Sequence, residues 1–113
     1  MVNKSILVGR VGQDPESKQL ETGMVVNFSL ATSEKWKNKA GEKQESTEWH
    51  NCKAFGSLAD IIHTYVKKGD LIYIEGKIKT RSWEADGVKK YTTDIVCHTM
   101  QMLGGKKDDT GFE

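Results

Sequence analysis

Apolar and polar residues alternate along several segments of this chain with a period of two, which is the period that a pleated strand imposes on its side chains. One segment shows it simply: Val26, Phe28 and Leu30 fall on one side, and Asn27 and Ser29 fall on the other. Residues that favour turns, such as Gly, Pro, Asn and Asp, separate these segments. The predicted strands are residues 3–11, 25–33, 47–55, 71–83 and 91–102.

One segment has the period of a helix instead. Its apolar residues recur at spacings of three and four, which predicts an amphipathic helix over residues 57–68 with Tyr65 in the core. We expect Ser57 to cap its N-terminus together with Asp60, and Gly69 to follow its last turn. The apolar positions are Leu58, Ile61, Ile62, Tyr65 and Val66.

The predicted elements occur in the order of three strands, one helix and two strands. One helix between the third and fourth of five strands is what a small Greek-key barrel of the OB type requires, because the helix closes one end of the barrel. An SH3-like barrel or a β-sandwich would leave the helix unexplained. The sequence therefore predicts an all-β fold, a five-stranded OB-fold Greek-key barrel with one helix between strands 3 and 4.

Basic and aromatic side chains share the outward side of two predicted strands. In the third strand, Trp49, Lys53 and Phe55 lie on one side. In the fourth strand, the alternation assigns one side to the core and leaves a cationic strip on the other. An exposed aromatic ring on a cationic strip suits a flat anionic ligand that can stack, and single-stranded nucleic acid is such a ligand. The fourth strand places Ile72, Ile74, Gly76 and Ile78 on the core side and Tyr73, Glu75, Lys77, Lys79, Arg81 and Trp83 on the outer side.

A polar segment, residues 34–46, separates the second and third strands. It contains Lys35 and Trp36 together with three more lysines. At 13 residues it is predicted to be a loop, and loops of this length in small domains are often functional. A basic loop beside a tryptophan favours the same nucleic-acid ligand.

The distribution of charge supports a polyanionic partner although the net charge of the chain is only +1. The last six residues contain three acidic side chains, so residues 1–107 hold 17 basic and 13 acidic residues, a net charge of +4. We predict one folded domain over residues 1–103 and a short, flexible, mildly acidic tail over residues 104–113.

Other classes of protein fit the composition less well. No apolar run has the length of a membrane span and there is no signal-peptide core, so we expect a cytoplasmic protein. Cys52 and Cys97 form no C-x-x-C motif, which predicts two buried free thiols and neither a metal site nor a cofactor. Glu42, Glu45 and Glu48 are interleaved with lysine and tryptophan rather than clustered for a metal, so we do not expect an enzyme.

Several short motifs follow one another over residues 2–105. They are Asn3-Lys4-Ser5-Ile6-Leu7-Val8-Gly9, Gly12-Gln13-Asp14-Pro15-Glu16, Asn27-Phe28-Ser29-Leu30-Ala31-Thr32-Ser33-Glu34, Thr47-Glu48-Trp49-His50, Tyr73-Ile74-Glu75-Gly76, Thr80-Arg81-Ser82-Trp83, Tyr91-Thr92-Thr93 and Met100-Gln101-Met102-Leu103. In this order they resemble the bacterial single-stranded DNA-binding proteins. The resemblance implies an OB fold, a homotetramer, and sequence-tolerant binding of single-stranded DNA during replication, recombination and repair, in the cytoplasm at the nucleoid.

Carried across by position, the resemblance also implies roles for individual residues. His50 matches a subunit-interface residue, and Tyr73 lies on the strand that helps to pair dimers into tetramers. Strand alternation adds Lys53 and Lys77 to the DNA-binding set, and the basic loop adds Lys35. The base-stacking positions are matched by Trp36, Trp49, Phe55 and Trp83, and the basic backbone contacts by Lys4, Lys67, Lys68, Lys79 and Arg81.

Two alternatives remain open. An OB-fold adaptor of the primosomal type would act mainly through protein contacts, but such proteins tend to lose the stacking aromatic residues that are present here. An RNA-binding OB domain would use the same stacking and phosphate contacts. The tail departs from the resemblance, because Asp108, Asp109 and Phe112 follow the barrel almost at once without a long linker; they are the candidates for recruiting replication and repair proteins.

Overall fold

The computed structural model describes residues 1–104. The predicted acidic tail, including Asp108, Asp109 and Phe112, lies outside the described residues except for Gly104, so the predicted domain boundary stays a prediction. The elements in chain order are β1 (Ser5–Val11), β2 (Glu16–Leu20), β3 (Gly23–Lys37), β4 (Lys43–Phe55), α1 (Gly56–Tyr65), β5 (Leu71–Ala85) and β6 (Val88–Gly104).

Five of the strands close into a barrel. Neighbouring strands follow the order β1-β5-β6-β4-β3, and β1 pairs again with β3 to complete the circuit. β4 and β6 run parallel, whereas the other pairs are antiparallel. The helix lies between the third and fourth strands of the closed barrel, so the predicted OB fold is confirmed.

The inward-facing residues of the strands fill the barrel, and α1 closes one end of it. Val26, Leu30, Ile72 and Ile74 are almost completely buried, which confirms the predicted core side of β3 and of the first half of β5. Burial of such a side chain stabilises the fold by about 1.5–3 kcal/mol. The rest of the core is formed by Val11, Phe28, Cys52, Ala54, Ala59, Ile62, Val66, Ile95 and Cys97.

The strands β3 and β4 extend far beyond the barrel as a two-stranded ribbon. Residues 34–46 are therefore not the predicted loop, since the strands pair as far as Lys37 opposite Lys43. The connection is short and is organised by Asn38, whose side-chain oxygen accepts hydrogen bonds from the backbone of Ala40 at 3.0 Å and of Glu42 at 2.9 Å. Both faces of such a ribbon are exposed to solvent, so its sequence does not need the alternating apolar residues from which strands are predicted.

The strands β5 and β6 form a second ribbon, which turns at Asp86 and Gly87. Both turn residues have positive φ, 51° and 76°, which is typical of the tight turn that joins two antiparallel strands. Ile78 was predicted to lie in the core but is 49% exposed. The last β1 partner on β5 is Gly76, so Ile78 lies where the ribbon has already left the barrel.

The helix is shorter than predicted and has different ends. It begins after Phe55, which is the N-cap residue, and the predicted cap by Ser57 does not form. The C-cap residue is Val66, so Gly69 does not directly follow the last turn. Gly69 instead turns the chain with a φ of 91°, and its N–H donates to the carbonyl of Val11 at 2.8 Å. The prediction that Tyr65 is a core residue is wrong, because its side chain is 62% exposed.

The strand β2 was not predicted. It pairs with the start of β3 outside the barrel circuit, and all five of its residues are exposed. An edge strand with no buried side has no alternating apolar residues, which explains the omission. Among residues 1–104, no helix is long and apolar enough to cross a membrane.

Candidate nucleic-acid interface

The outer surfaces of β4, β6 and β5 form one continuous face. Lys53 of β4 lies beside Val96 of β6, and Val96 in turn lies opposite Lys77 of β5. Side chains of residues paired in this way project to the same side of a sheet, and every second residue along each strand follows them. We call this surface the basic face; it carries Trp49, Asn51, Lys53 and Phe55 from β4 and Lys77, Lys79, Arg81 and Trp83 from β5.

Arg81 is held in place on the basic face by two neighbours. Its Nε donates to Oδ2 of Asp94 at 3.0 Å, and its guanidinium carbon lies 5.9 Å from the centre of the Trp83 ring. Asp94 is buried, whereas Arg81 and Trp83 are exposed. Because Nε makes the ion pair, the two terminal amino groups of the guanidinium remain as donors for a phosphate. An exposed aromatic ring and a guanidinium with two available amino groups are thus held side by side.

Trp49 lies over a glycine on the same face. A Cβ atom on Gly12 would come within 2.5 Å of Cζ3 of Trp49 and 2.7 Å of Oγ of Ser29, so only glycine leaves room for the ring. The indole is nevertheless 60% exposed. Its exposure leaves the ring accessible to a ligand, and its role as a platform for a base stays a prediction.

Lys67 and Lys68 follow α1 and are tied to the same region through their backbone. The N–H of Lys68 donates to the Asp14 carboxylate at 2.8 Å, and the N–H of Lys67 donates to Asp70 at 2.9 Å. Asp14 follows Gly12 by two residues, so the bond from Lys68 places this residue, with Lys67 next to it in the chain, beside the segment that contacts Trp49. Both lysine side chains are exposed.

Phe55 lies at the end of β4, where it also forms the N-cap of α1. Its side chain is 52% exposed, an unusual position for a phenylalanine in a small barrel. It has the same strand parity as Lys53 and Trp49 and therefore belongs to the basic face.

Trp36 and Lys35 lie apart from the other predicted residues. Both are on the β3–β4 ribbon, where Trp36 is opposite Gln44 and is 47% exposed. By strand alternation, Trp36 projects to the same side of β3 as Leu30. The basic face is instead on the side to which Asn27 and Ser29 project. Trp36 lines a shallow cleft with Lys35 and other residues of the ribbon itself. The β3–β4 ribbon is therefore a surface separate from the basic face, and stacking by Trp36 stays a prediction.

Lys4 and Tyr73 converge on one carboxylate. Nζ of Lys4 lies 3.1 Å from Glu75, and the Tyr73 hydroxyl donates a hydrogen bond to the same carboxylate. The hydrogen bond from Tyr73, followed by the interaction with Lys4, lowers the pKa of Glu75 below its usual value, and the same hydrogen bond raises the pKa of Tyr73. Lys4 was predicted as a phosphate contact, and its ammonium group is here engaged by Glu75.

His50 lies at an opening in the barrel wall. β1 pairs with β3 only at Arg10 and Val11, so the earlier residues of β1 diverge from β3. Nε2 of His50 lies 2.9 Å from Oγ1 of Thr32, and both side chains line a cleft with Ile6 and Val8. Ile6 is 56% and Val8 48% exposed, so this open strand edge carries apolar side chains in contact with water.

The two cysteines are buried inside the barrel, as predicted. The neighbouring Cys97 thiol, followed by burial, raises the pKa of Cys52, which keeps its thiol protonated and unreactive. Within residues 1–104, no group of three or more His, Cys, Asp and Glu residues is arranged to hold a metal ion.

Two residues of the interface were missed by sequence reasoning. Asp94 is a buried carboxylate on the strand opposite Arg81, and no local pattern connects residues 13 positions apart. Gly12 appears in the sequence only as the first residue of a family motif, although its missing side chain makes room for Trp49. The motif of five residues that begins at Gly12 could have indicated that this glycine is part of the interface.

Comparison with known proteins decides the family. The model of the single-strand binding protein family matches residues 2–103. The chain belongs to this family. Among curated relatives of this single-strand binding protein, "Single-stranded DNA-binding protein 1" of Chlorobaculum tepidum is 52% identical over 97% of the chain, which spans 70% of that relative. The single-stranded DNA-binding protein of Neisseria meningitidis serogroup A is 46% identical over 97% of the chain, which spans 64% of its length.

A solved structure supports the fold of this family member. The Plasmodium falciparum single-strand binding protein, determined in complex with single-stranded DNA, matches with a TM-score of 0.84 and 33% sequence identity. The match covers 91% of this chain and 96% of the other. The barrel with its single helix is therefore the architecture of a single-strand binding protein.

Proposed function

We propose that this chain binds single-stranded DNA on the basic face, without preference for sequence and without catalysing a reaction. The observation that carries the proposal is the grouping of Arg81, Asp94 and Trp83, in which an exposed ring and an anchored guanidinium lie side by side. Bases offer a flat surface to a ring whatever their identity, and phosphates offer a charge at regular spacing. Membership of the family supports the same ligand.

Binding would combine stacking with neutralisation of phosphate charge. Trp49, Phe55 and Trp83 would replace stacking between bases, and the Trp36 ribbon would fold over the strand from one side. A strand held in this way is kept unpaired and protected. The phosphate contacts would come from Lys4, Lys35, Lys53, Lys67, Lys68, Lys77, Lys79 and Arg81.

The open edge of β1 supports assembly into a homotetramer. The exposed Ile6 and Val8 lie on a strand whose outer backbone edge is unpaired before Arg10, and such an edge can pair with a second copy. His50 lies in the same cleft, which supports its proposed place at the subunit contact. Tyr73 lies on the outer side of β5 next to Glu75 and would lie near the surface between dimers.

The cellular role that we propose is protection of single-stranded DNA at the nucleoid, in the cytoplasm, during replication, recombination and repair. Replication and repair proteins would be recruited through Asp108, Asp109 and Phe112. An OB-fold adaptor would not need exposed rings beside basic residues, so the 60% exposed Trp49 and the 44% exposed Trp83 favour DNA binding over that alternative.

The proposal is tested by comparing one labelled oligonucleotide in three forms: single-stranded DNA, its duplex and its RNA counterpart. We expect the single-stranded DNA to bind most tightly and its affinity to fall as salt rises, with a log–log slope of about −0.7 per phosphate contact. Tighter binding of the duplex, or a flat response to salt, would contradict the proposal. Equal affinity for RNA would favour the RNA-binding alternative.

A further inference from the structure

The ribbon formed by β5 and β6 has two faces in contact with water. The last partner of β5 on β1 is Gly76, and the partners of β6 on β4 are Ile95 and Val96. Within the described part of the chain, residues 79–94 therefore pair only with one another. A two-stranded ribbon without further strands leaves both of its sides open, whereas the strands inside the barrel expose only one.

The two faces of this ribbon carry matching pairs of side chains. On the basic face, the Arg81 guanidinium lies 5.9 Å from the centre of the Trp83 ring. Trp83 is paired with Lys90, and the next residue, Tyr91, is paired with Ser82, so Tyr91 projects to the opposite side. There the ammonium group of Lys89 lies 5.7 Å from the centre of the Tyr91 ring. Each face thus presents one aromatic ring with one cation beside it.

Tyr91 is open to a ligand. Its side chain is 63% exposed, which is more than that of Trp83, Trp49 or Phe55. Its surroundings are polar, since Ser82 lies opposite it and the hydroxyls of Thr80 and Thr93 are 2.9 Å apart on the same face. A permanent protein interface would be more apolar than this, whereas a base with its phosphate suits a ring beside a lysine.

The ribbon as a whole is positively charged, so a polyanionic strand is drawn to it. Residues 77–91 contain five basic and two acidic side chains, a net charge of +3. Four of the basic residues project to the basic face, namely Lys77, Lys79, Arg81 and Lys90. Among these residues, the Tyr91 side carries one cation, Lys89, with Glu84 opposite it. The excess positive charge therefore lies on the basic face, and Lys89 lies on the reverse side of the same narrow ribbon.

We infer that Tyr91 and Lys89 form a second binding site for single-stranded nucleic acid, on the side of the β5–β6 ribbon that faces away from Trp83. The inference rests on the proposed function and extends it: the ribbon holds one segment of strand on the basic face and another segment on its reverse side. Tyr91 stacks on a base, and Lys89 contacts the adjacent phosphate. The ribbon therefore acts as a two-sided element around which a long strand wraps.

The first experiment locates the contacts directly. The full chain is saturated with single-stranded DNA containing 5-iodouracil, irradiated, and digested, and the cross-linked peptides are identified by mass spectrometry. We expect adducts on both Trp83 and Tyr91 with a long strand. Adducts on Trp83 without any on Tyr91 would overturn this inference while leaving the proposed function in place. Failure of the unmodified protein to bind the strand would overturn both.

The second experiment uses a matched pair of variants. Tyr65 is 62% exposed on α1, so Tyr65→Ala removes an equally exposed ring from a surface that is not part of the interface. We expect Tyr91→Ala to weaken binding of poly(dT) by about tenfold, as for the loss of one stacked base, and both Tyr91→Phe and Tyr65→Ala to bind normally. Unchanged affinity of Tyr91→Ala would overturn the inference. So would a change in its mass by light scattering, because the ring would then serve an interface between protein chains.

Discussion

Nε of Arg81 lies 3.0 Å from Oδ2 of Asp94, and the two side chains differ sharply in exposure, at 58% and 10%. The arginine is therefore placed at the surface by a carboxylate that is itself buried. A buried carboxylate that loses its partner is costly, so we expect Arg81 to stabilise the fold in addition to its proposed contact with DNA.

This dual role gives the first prediction. Arg81→Ala should weaken binding of single-stranded DNA, reduce the salt slope by about 0.7, and lower the free energy of unfolding by about 1–3 kcal/mol. Adding Asp94→Asn should restore much of the stability, because no buried charge is then left alone, but should not restore the slope. Urea unfolding and salt titrations of both variants measure the two effects. If Arg81→Ala is as stable as the wild type, the ion pair has no structural role.

Trp83→Ala separates stacking from charge at the neighbouring position. The variant should lose about 1–3 kcal/mol of binding free energy with an almost unchanged salt slope, because it removes a ring and no cation. Its thermal stability should stay close to that of the wild type, since the ring is exposed. A large loss of stability with unaltered affinity would show that the side of β5 that carries Trp83 faces the core and not the solvent.

Gly12→Ala tests whether the position of Trp49 matters. The added methyl group would lie 2.5 Å from Cζ3 of Trp49, so the ring must move. We expect weaker DNA binding, with a loss no larger than the binding free energy of one stacked base, about 1–3 kcal/mol. We also expect a shifted tryptophan emission in the free protein. Gly104→Ala is the matched control, because a Cβ there meets nothing within 4 Å. Normal binding by Gly12→Ala would mean that Trp49 is not a stacking platform.

The barrel could be predicted from sequence because its strands bury one side. Val26, Leu30 and Ile74 repeat with the period of two that burial imposes, and the apolar residues of α1 repeat with the helical period. The pattern failed where the chain leaves the core. Beyond Ser33 and Ile78 the ribbons are held by backbone pairing and by polar side-chain contacts, and such pairing leaves no hydrophobic signal.

The candidate site was predictable to a similar extent. Strand parity placed Trp49, Lys53 and Arg81 on outer sides, and the structure joins those sides into one face. The alternation of side chains along a single strand does not show which residues of different strands are in contact. The pairing of Arg81 with Asp94 and the contact of Gly12 with Trp49 depend on the barrel register, which appears only once the strands are assembled.

The cluster around Glu75 predicts a dependence of stability on pH. Its pKa in the folded state lies below the usual 4.5, so the stabilisation is present above that value and is lost as the pH falls through the lower folded pKa. Tyr73→Phe removes the hydrogen bond that is the main cause. The difference in free energy of unfolding between wild type and variant should have its full size at about pH 7 and should be smaller at about pH 3. Urea unfolding at one fixed protein concentration measures it, and an equal difference at both pH values would contradict the assignment.

The central claim, that exposed rings on a basic barrel stack on unpaired bases, is tested most directly by the intrinsic fluorescence of the unmodified protein during titration with poly(dT). Trp36, Trp49 and Trp83 are 47%, 60% and 44% exposed, so all three can report contact with a base. We predict strong quenching that saturates at a fixed ratio of nucleotide to protein and reverses as salt is added. An emission spectrum that stays unchanged while a separate assay shows the strand to be fully bound would contradict the claim.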